Sequence, residues 1–158
     1  MNWLEKLFSS CTEGTLNQRR RELASRLRGV LSEILDRSTE LPQSDIVRSI
    51  FYAASRVDGA GPKVSIFIFS DMLENSSLIG GSTFLATKGT ALLNLVKASK
   101  LVPRLPGGVV RIFGVGRSYS AARPDLSPSQ MRALDFFWRS YFQAAGATEI
   151  EISPRLKF

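Results

Sequence analysis

The sequence predicts an α/β fold, a three-layer sandwich in which a short, mostly parallel sheet is flanked by helices. Two apolar runs, residues 64–69 and 109–115, are rich in branched and aromatic residues and have the length of buried strands. Segments with helical periodicity precede the first run, separate the two runs and follow the second. This alternation favours parallel pairing, because parallel strands need long crossover connections that helices supply.

The first helix is predicted over about residues 17–36. Its apolar positions return to one side every three or four residues, and they are Leu16, Leu23, Leu27, Val30 and Ile34. The densest positive charge of the chain flanks this side and consists of Arg19, Arg20, Arg21, Arg26 and Arg28. We interpret these arginines first as the solvated back of the helix, with a nucleic-acid-binding face as the alternative.

A second helix is predicted from Ser44, whose hydroxyl is suited to accept from the free N–H groups of a first turn, to about Arg56. A break that contains glycine and proline follows at residues 58–62, and the first apolar run begins after it. Because nearly every residue of this run is apolar, we expect the strand to be covered on both faces.

The remainder of the chain continues the alternation. Residues 76–89 lack a clear period and predict an irregular loop, which is followed by a helix over about 90–100 and a strand over 109–116. Residues 127–130, Ser-Pro-Ser-Gln, form a capping box with proline at the first helical position, so the last helix is predicted to begin there. Gly146 is placed to end that helix, and a last strand is predicted over 148–152.

We expect a single domain over residues 1–158, with an N-terminal segment over 1–16 and a core over 17–152, because no repeat or long linker interrupts the chain. The first residues lack the basic and apolar regions of a secretory signal, and no apolar run approaches the length of a membrane span. These features predict a soluble, cytoplasmic protein. The one cysteine, Cys11, allows no internal disulfide.

Composition limits the chemistry that the chain can perform. It has 21 Lys and Arg against 14 Asp and Glu, a net charge of +7, and no His. The absence of His excludes Ser-His-Asp and Cys-His catalysis, so we predict that the chain is not an enzyme. A small hydrolase or phosphotransfer enzyme that uses Asp71 with Ser70 or Ser44 is the least favoured alternative, since no base would activate the hydroxyls.

Asp71 is the best single candidate for a functional carboxylate. It follows the first apolar strand directly, at the edge of a parallel sheet where ligands commonly bind. A carboxylate and hydroxyls suit a hard cation such as Mg²⁺, but Asp is also common as a cap of a local turn. From spacing alone, the two roles are equally well supported. Gly114 and Gly116 after the second run match a phosphate-binding loop only weakly.

The order of elements resembles the second half of a von Willebrand factor A-like domain over residues 41–152. The resemblance rests on the helix that begins at Ser44, on the apolar strand that ends in Ser70-Asp71, and on the helix–strand–helix–strand order that follows. It implies that Asp71 and Ser44 match two of the three parts of that family's metal-ion-dependent adhesion site. The third part, an Asp-x-Ser-x-Ser motif, has no counterpart upstream, so the implied Mg²⁺ site is incomplete.

The resemblance implies a protein-interaction or assembly module in which a partner docks at the carboxyl edge of the sheet, around Glu74, Asn75, Arg117 and Arg123. A bound cation would offer its open coordination position to a partner carboxylate. An unpaired strand edge also predicts self-association or a covering partner. Residues 136–147 resemble the closing helix of bacterial members carried with mobile elements. A nucleic-acid-associated protein that contacts phosphates through the Arg-rich first helix is the alternative.

Overall fold

The computed structural model describes residues 3–37, 43–57, 64–117 and 126–154. It is an α/β structure with a parallel sheet and flanking helices, which confirms the predicted fold class. In chain order the elements are α1 (Trp3–Arg37), α2 (Ile46–Ser55), β1 (Ser65–Phe69), α3 (Gly81–Ala86), α4 (Gly89–Ala98), β2 (Val109–Phe113), α5 (Pro128–Ala145) and β3 (Glu149–Ser153).

The sheet has the order β1-β2-β3, and both pairings are parallel. Ser65 lies opposite Val109, which lies opposite Glu149, and the register continues without a bulge to the ends of the strands. All three strands therefore end at one edge of the sheet, and the loops after β1 and β2 share it. We call residues 70–76 and 114–117, which form these loops, the carboxyl rim.

The two faces of the sheet differ in burial. Val110 and Ile112 of the central strand are fully buried, whereas Phe67 and Phe69 on the opposite face of β1 are 55% and 53% exposed. The prediction that the first strand is covered on both faces is therefore wrong for the described residues. An uninterrupted apolar run shows that a strand is hydrophobic, but it does not show which face receives a covering layer.

Several local signals determine the ends of α5 as predicted. The Ser127 hydroxyl accepts from the backbone N–H of Gln130, and the Gln130 side chain accepts from the backbone N–H of Ser127, which completes the capping box. Gly146 ends the helix with a left-handed φ of 93°. The aromatic residues of α5 belong to the core, as their density indicated, and those fully buried are Phe137, Trp138, Tyr141 and Phe142.

Two predicted boundaries were wrong. The segment predicted as an irregular loop contains α3, a short helix that begins after Gly80 without a side-chain cap and buries Phe84. At the start of α2 the N-cap is Asp45 and not Ser44, because the Asp45 carboxylate accepts from the backbone N–H of Arg48. Ser44 is exposed and instead pairs through its backbone with Asn75.

The chain divides into two compact units, Met1–Pro42 and Gln43–Phe158, where a single domain over 1–158 was expected. The first unit contains α1, which begins well before the predicted residue 17. The predicted apolar side of this helix is exposed at Leu16, Leu23, Leu27 and Val30, and the buried cluster consists of residues from 47 onward. Among the described residues, no helix combines the length and apolar content that crossing a membrane requires.

Candidate functional site

The turn that follows β1 is held by its own side chains. The Ser70 hydroxyl accepts from the backbone N–H of Met72 at 3.0 Å, and the Asp71 Oδ1 accepts from the backbone N–H of Leu73 at 3.1 Å. Both contacts are characteristic of Asp and Ser in tight turns. Of the two roles that spacing left open for Asp71, the structure shows the cap.

Met72 is the conformationally unusual residue of this turn. Its φ of 60° lies in the left-handed region, which side chains other than glycine rarely occupy, and its side chain is fully buried. The indole N–H of Trp138 donates to the Met72 carbonyl at 2.9 Å. Packing and hydrogen bonds together therefore hold a backbone conformation that is costly by itself.

Glu74 lies in the interior, although the sequence placed it among the residues that face a partner. The side chain is fully buried, and its Oε2 accepts from the backbone N–H groups of Ile46 and Val47 at 2.8 and 3.0 Å. These are the first N–H groups of α2, which have no partner within the helix. Glu74 thus ties the carboxyl rim to the start of α2 and has no surface left for a partner.

The second carboxylate oxygen of Glu74, Oε1, is buried, and no described residue forms a hydrogen bond with it. Burial raises the pKa of Glu74 above the usual value of a glutamate side chain, and the negative charge of Asp45 adds to the increase. The Ser76 hydroxyl and the two α2 N–H groups oppose this shift without cancelling it. Burial and the nearby Glu74 charge raise the pKa of Tyr141 as well.

Asn75 and Ser44 meet at the rim through their backbones. Each backbone N–H donates to the carbonyl of the other, at 2.8 and 2.9 Å, in an isolated antiparallel bridge. The Asn75 side chain also accepts from the backbone N–H of Gly81 at 2.9 Å, at the first residue of α3. Both residues are exposed, but the contacts shown are structural ones.

The turn after β2 packs against the turn after β1. The backbone N–H of Gly116 donates to the Asp71 carbonyl at 2.9 Å, and both Gly114 and Gly116 have left-handed φ values. A Cβ at Gly114 would stand 3.3 Å from the Ser70 carbonyl oxygen. The left-handed φ accounts for both glycines, and the close approach of the Ser70 backbone is a second reason at Gly114. Arg117 is exposed next to them, and Arg123 lies outside the described residues.

The residues do not fit the cation site that the resemblance implies. One oxygen of Asp71 caps its own turn, and Ser44 joins the rim by backbone hydrogen bonds. Within the described ranges, no group of three or more Asp, Glu, Cys or His residues could hold a metal ion. Mg²⁺ prefers several oxygen ligands in octahedral geometry, and the rim does not gather them.

The opposite face of the sheet has a more distinctive chemistry. We call it the open face and define it by Phe67, Phe69, Arg111, Phe113, Glu149 and Glu151. Phe69 stacks on Phe113 with ring centroids 5.6 Å apart, and the Arg111 guanidinium lies 5.8 Å from the Phe67 centroid. Arg111 also forms ion pairs with Glu149 and Glu151, at 2.8 and 3.3 Å.

Sequence reasoning missed the open face, although a signal for it was present. The last strand alternates Glu-Ile-Glu-Ile over residues 149–152, which is typical of a strand with one solvated face. Pairing in register places Glu151 beside Arg111 and in the same row as Phe67, and it places Glu149 beside Val109 on the same face of the sheet. The polar alternation of an outer strand was therefore a better guide to exposure than the apolar run of the first.

The arginines singled out on the first helix lie on α1 and are exposed: Arg19, Arg20, Arg21, Arg26 and Arg28. Asn17, Arg20, Arg21 and Arg28 surround a shallow groove above the small side chains of Ala24 and Ser25. Within the part of the chain that the structure describes, none of these arginines forms an ion pair. Their positive charge is therefore available to an anionic ligand.

Comparisons with protein-family models, with curated proteins and with solved structures each gave no match to this chain.

Proposed function

We propose that this chain is a protein-interaction or assembly module without enzymatic activity, and that the open face of its sheet binds the partner. The observation that carries the proposal is the pair of half-exposed phenylalanines, Phe67 and Phe69, on a parallel sheet. Parallel sheets are almost always covered on both faces. Contiguous exposed aromatic surface with a polar border is typical of a binding site.

The chemistry of the open face indicates the partner. Because crossover helices normally cover parallel sheets, we infer that the partner presents a helix with an apolar side. The polar border has two carboxylates, those of Glu149 and Glu151, for the single guanidinium of Arg111. A partner helix with basic residues beside its apolar positions would complement this excess of negative charge.

The resemblance to the later half of a von Willebrand factor A-like domain supports the same class of function, and we propose that relationship too. Its support is the element order and the three parallel strands joined by helices. The cation-assisted mode of binding is not carried into the proposal, because Asp71 caps its own turn.

The test replaces both aromatic residues, Phe67→Ser with Phe69→Ser, in the full chain. Tyr52→Ser is the matched control, since Tyr52 is an aromatic residue of the same unit that is 61% exposed on α2. Proteins captured by the wild-type chain are purified, and their binary affinities are measured by titration calorimetry. Sedimentation velocity measures self-association of the same three proteins.

We expect at least one purified protein to bind the wild type and the Tyr52 variant alike, and to bind the double variant about tenfold or more weakly, because buried aromatic residues dominate interface energies. Equal affinity of all three chains would show that the open face is not the interface. Concentration-dependent self-association that the double variant abolishes would identify the partner as a second copy.

A further inference from the structure

One side of α1 has arginines and small residues around a shallow groove. The residues that line it recur every three or four positions, which is the spacing of a single helix face, and they are Asn17, Arg20, Arg21, Ala24, Ser25 and Arg28. We call these six residues the arginine groove. The exposed leucines of α1 lie on another side of the helix, and no apolar side chain larger than that of Ala24 lines the groove.

The charge of this part of α1 is strongly positive. Residues 17–28 contain five arginines and one acidic residue, Glu22. At about 100° per residue, Glu22 lies on the other half of the helix surface from the middle of the arginine groove. Arg20, Arg21 and Arg28 are exposed, and none of them forms an ion pair with a described residue. Three guanidinium groups therefore line one groove and remain available to an anionic ligand.

We propose that the arginine groove binds double-stranded DNA, with α1 lying in the major groove of the duplex. An α-helix with its side chains is about 10–12 Å across, and the major groove of B-form DNA, about 12 Å wide, admits one. Every basic residue of the range 17–28 is an arginine. The planar guanidinium group donates two parallel hydrogen bonds to one phosphate, so arginine fits this contact better than lysine does.

The middle of the arginine groove suits a close approach to DNA. Ala24 and Ser25 have short side chains, so the backbone of α1 can come near the base edges while the longer side chains around them reach outward. Arg20 and Arg28 lie about 12 Å apart along the helix axis, which allows their guanidinium groups to bind different phosphates. Asn17 adds an amide that both donates and accepts, as contacts to base edges require.

The same features distinguish DNA from other anionic partners. A helix that binds a lipid bilayer needs large apolar side chains on the face that meets the membrane, and the arginine groove has none. Duplex RNA has a deep, narrow major groove that side chains cannot read. B-form DNA offers both closely spaced phosphates and a groove of suitable width. The arginine groove belongs to the first unit of the chain, so this proposal does not rest on the open face.

The experiment measures binding of the full chain to a fluorescently labelled DNA duplex by anisotropy over a range of salt concentrations. Arg20→Gln with Arg28→Gln removes two charges from the arginine groove. Arg19→Gln with Arg26→Gln is the matched control, because it removes the same charge from the opposite side of the same helix. An RNA duplex of the same sequence and vesicles of phosphatidylcholine with phosphatidylglycerol are titrated in parallel. Circular dichroism verifies that both variants remain helical.

We expect the wild type to bind the DNA duplex with an affinity that falls steeply as salt is added, because phosphate contacts release counterions. The groove variant should bind about tenfold or more weakly, and the slope of log association constant against log salt should become shallower by about two, about one for each lost phosphate contact. The control variant should keep the wild-type slope and lose much less affinity, since charges on the far side of the helix are screened at physiological salt. The RNA duplex and the vesicles should bind more weakly than DNA.

Three outcomes would overturn the proposal. In the first, the two variants lose affinity and slope equally, which would show that DNA is attracted by overall charge and not held by the arginine groove. In the second, the RNA duplex binds as tightly as the DNA duplex, which would exclude docking in the major groove. In the third, the wild type does not bind DNA, and its binding to the vesicles would then assign the arginines to a membrane surface.

Discussion

The two faces of the sheet are built from the same fifteen strand residues, yet they have different surroundings. On one face, Val110 and Ile112 are fully buried, and the isoleucines of β1 and β3 pack beside them. On the other face, half-exposed phenylalanines stand next to a cluster of charged side chains. The comparison shows that the core formed by the described residues of this unit lies on one side of the sheet, while the partner surface that we propose lies on the other.

The largest expected effect tests that separation on the buried face. Ile112→Ala removes a fully buried side chain from the central strand and leaves a cavity, which should lower the free energy of unfolding by about 2–5 kcal/mol. Phe69→Ala on the open face removes a larger side chain that is already half in water, so it should cost about 1 kcal/mol. Urea denaturation measures both. Equal losses of unfolding free energy in the two variants would mean that the open face is packed as tightly as the buried one.

The second expected effect is a change in the pH dependence of stability when the buried carboxylate of Glu74 is replaced, with an exposed carboxylate as the control. The pKa of Glu74 is raised in the folded chain, so the native state holds this proton more tightly than the unfolded state does. Stability from Glu74 is therefore fully present below its unfolded pKa and is lost as pH rises through its folded pKa. Glu74→Gln keeps a neutral side chain that accepts from the α2 N–H groups, so it should remove this loss and be more stable than the wild type at neutral pH.

Urea denaturation across the acidic and neutral range tests this expectation. The gap between wild type and Glu74→Gln should narrow as the pH falls, because both side chains are then uncharged. The control is Glu149→Gln, which changes an exposed carboxylate on the open face. Parallel pH profiles for the wild type and Glu74→Gln would show that Glu74 does not titrate with the folding transition.

The smallest expected effect concerns the charges of the open face. Arg111→Met deletes two partly exposed ion pairs and one cation–π contact, but surface ion pairs contribute little in water. We expect a loss of about 1 kcal/mol or less, reduced further by added salt. Arg132→Met on the exposed side of α5 serves as the control, with no measurable change. A loss as large as that of Ile112→Ala would show that this face is structural.

Local signals were sufficient for much of the fold. The apolar strands, the capping box at Ser127 and the left-handed end at Gly146 depend on neighbouring residues, and each was predicted near its observed place. The N-cap of α2 was predicted one residue too early, at Ser44 and not at Asp45. Both are good capping residues, and they are distinguished only by the tertiary pairing of the Ser44 backbone with Asn75. The short helix α3 has glycines and hydroxyls in place of a clear period.

The candidate site was harder to predict because its contacts are distant along the chain. The buried carboxylate of Glu74 accepts hydrogen bonds from the backbone N–H groups of residues 46 and 47. These residues lie far from Glu74 in the sequence, and no local pattern links them to it. The exposure of Phe67 depends on which side of the sheet the helices cover. The sequence of β1 does not identify that side, because its central residues are all apolar and show no polar–apolar alternation. Asp71 was correctly identified as a residue of the rim, and geometry then resolved its role as a cap.

The all-parallel register of the sheet has a consequence for how the chain folds. Ser65 finds its partner at Val109, and Val109 finds its other partner at Glu149, so each pairing spans some forty residues of intervening chain. No strand can pair with its neighbour through a short hairpin. The entropic cost of closing each long loop therefore opposes the first contacts between strands. Assembly is consequently slow compared with that of helical bundles, and the nascent strands stay available to other chains in the meantime.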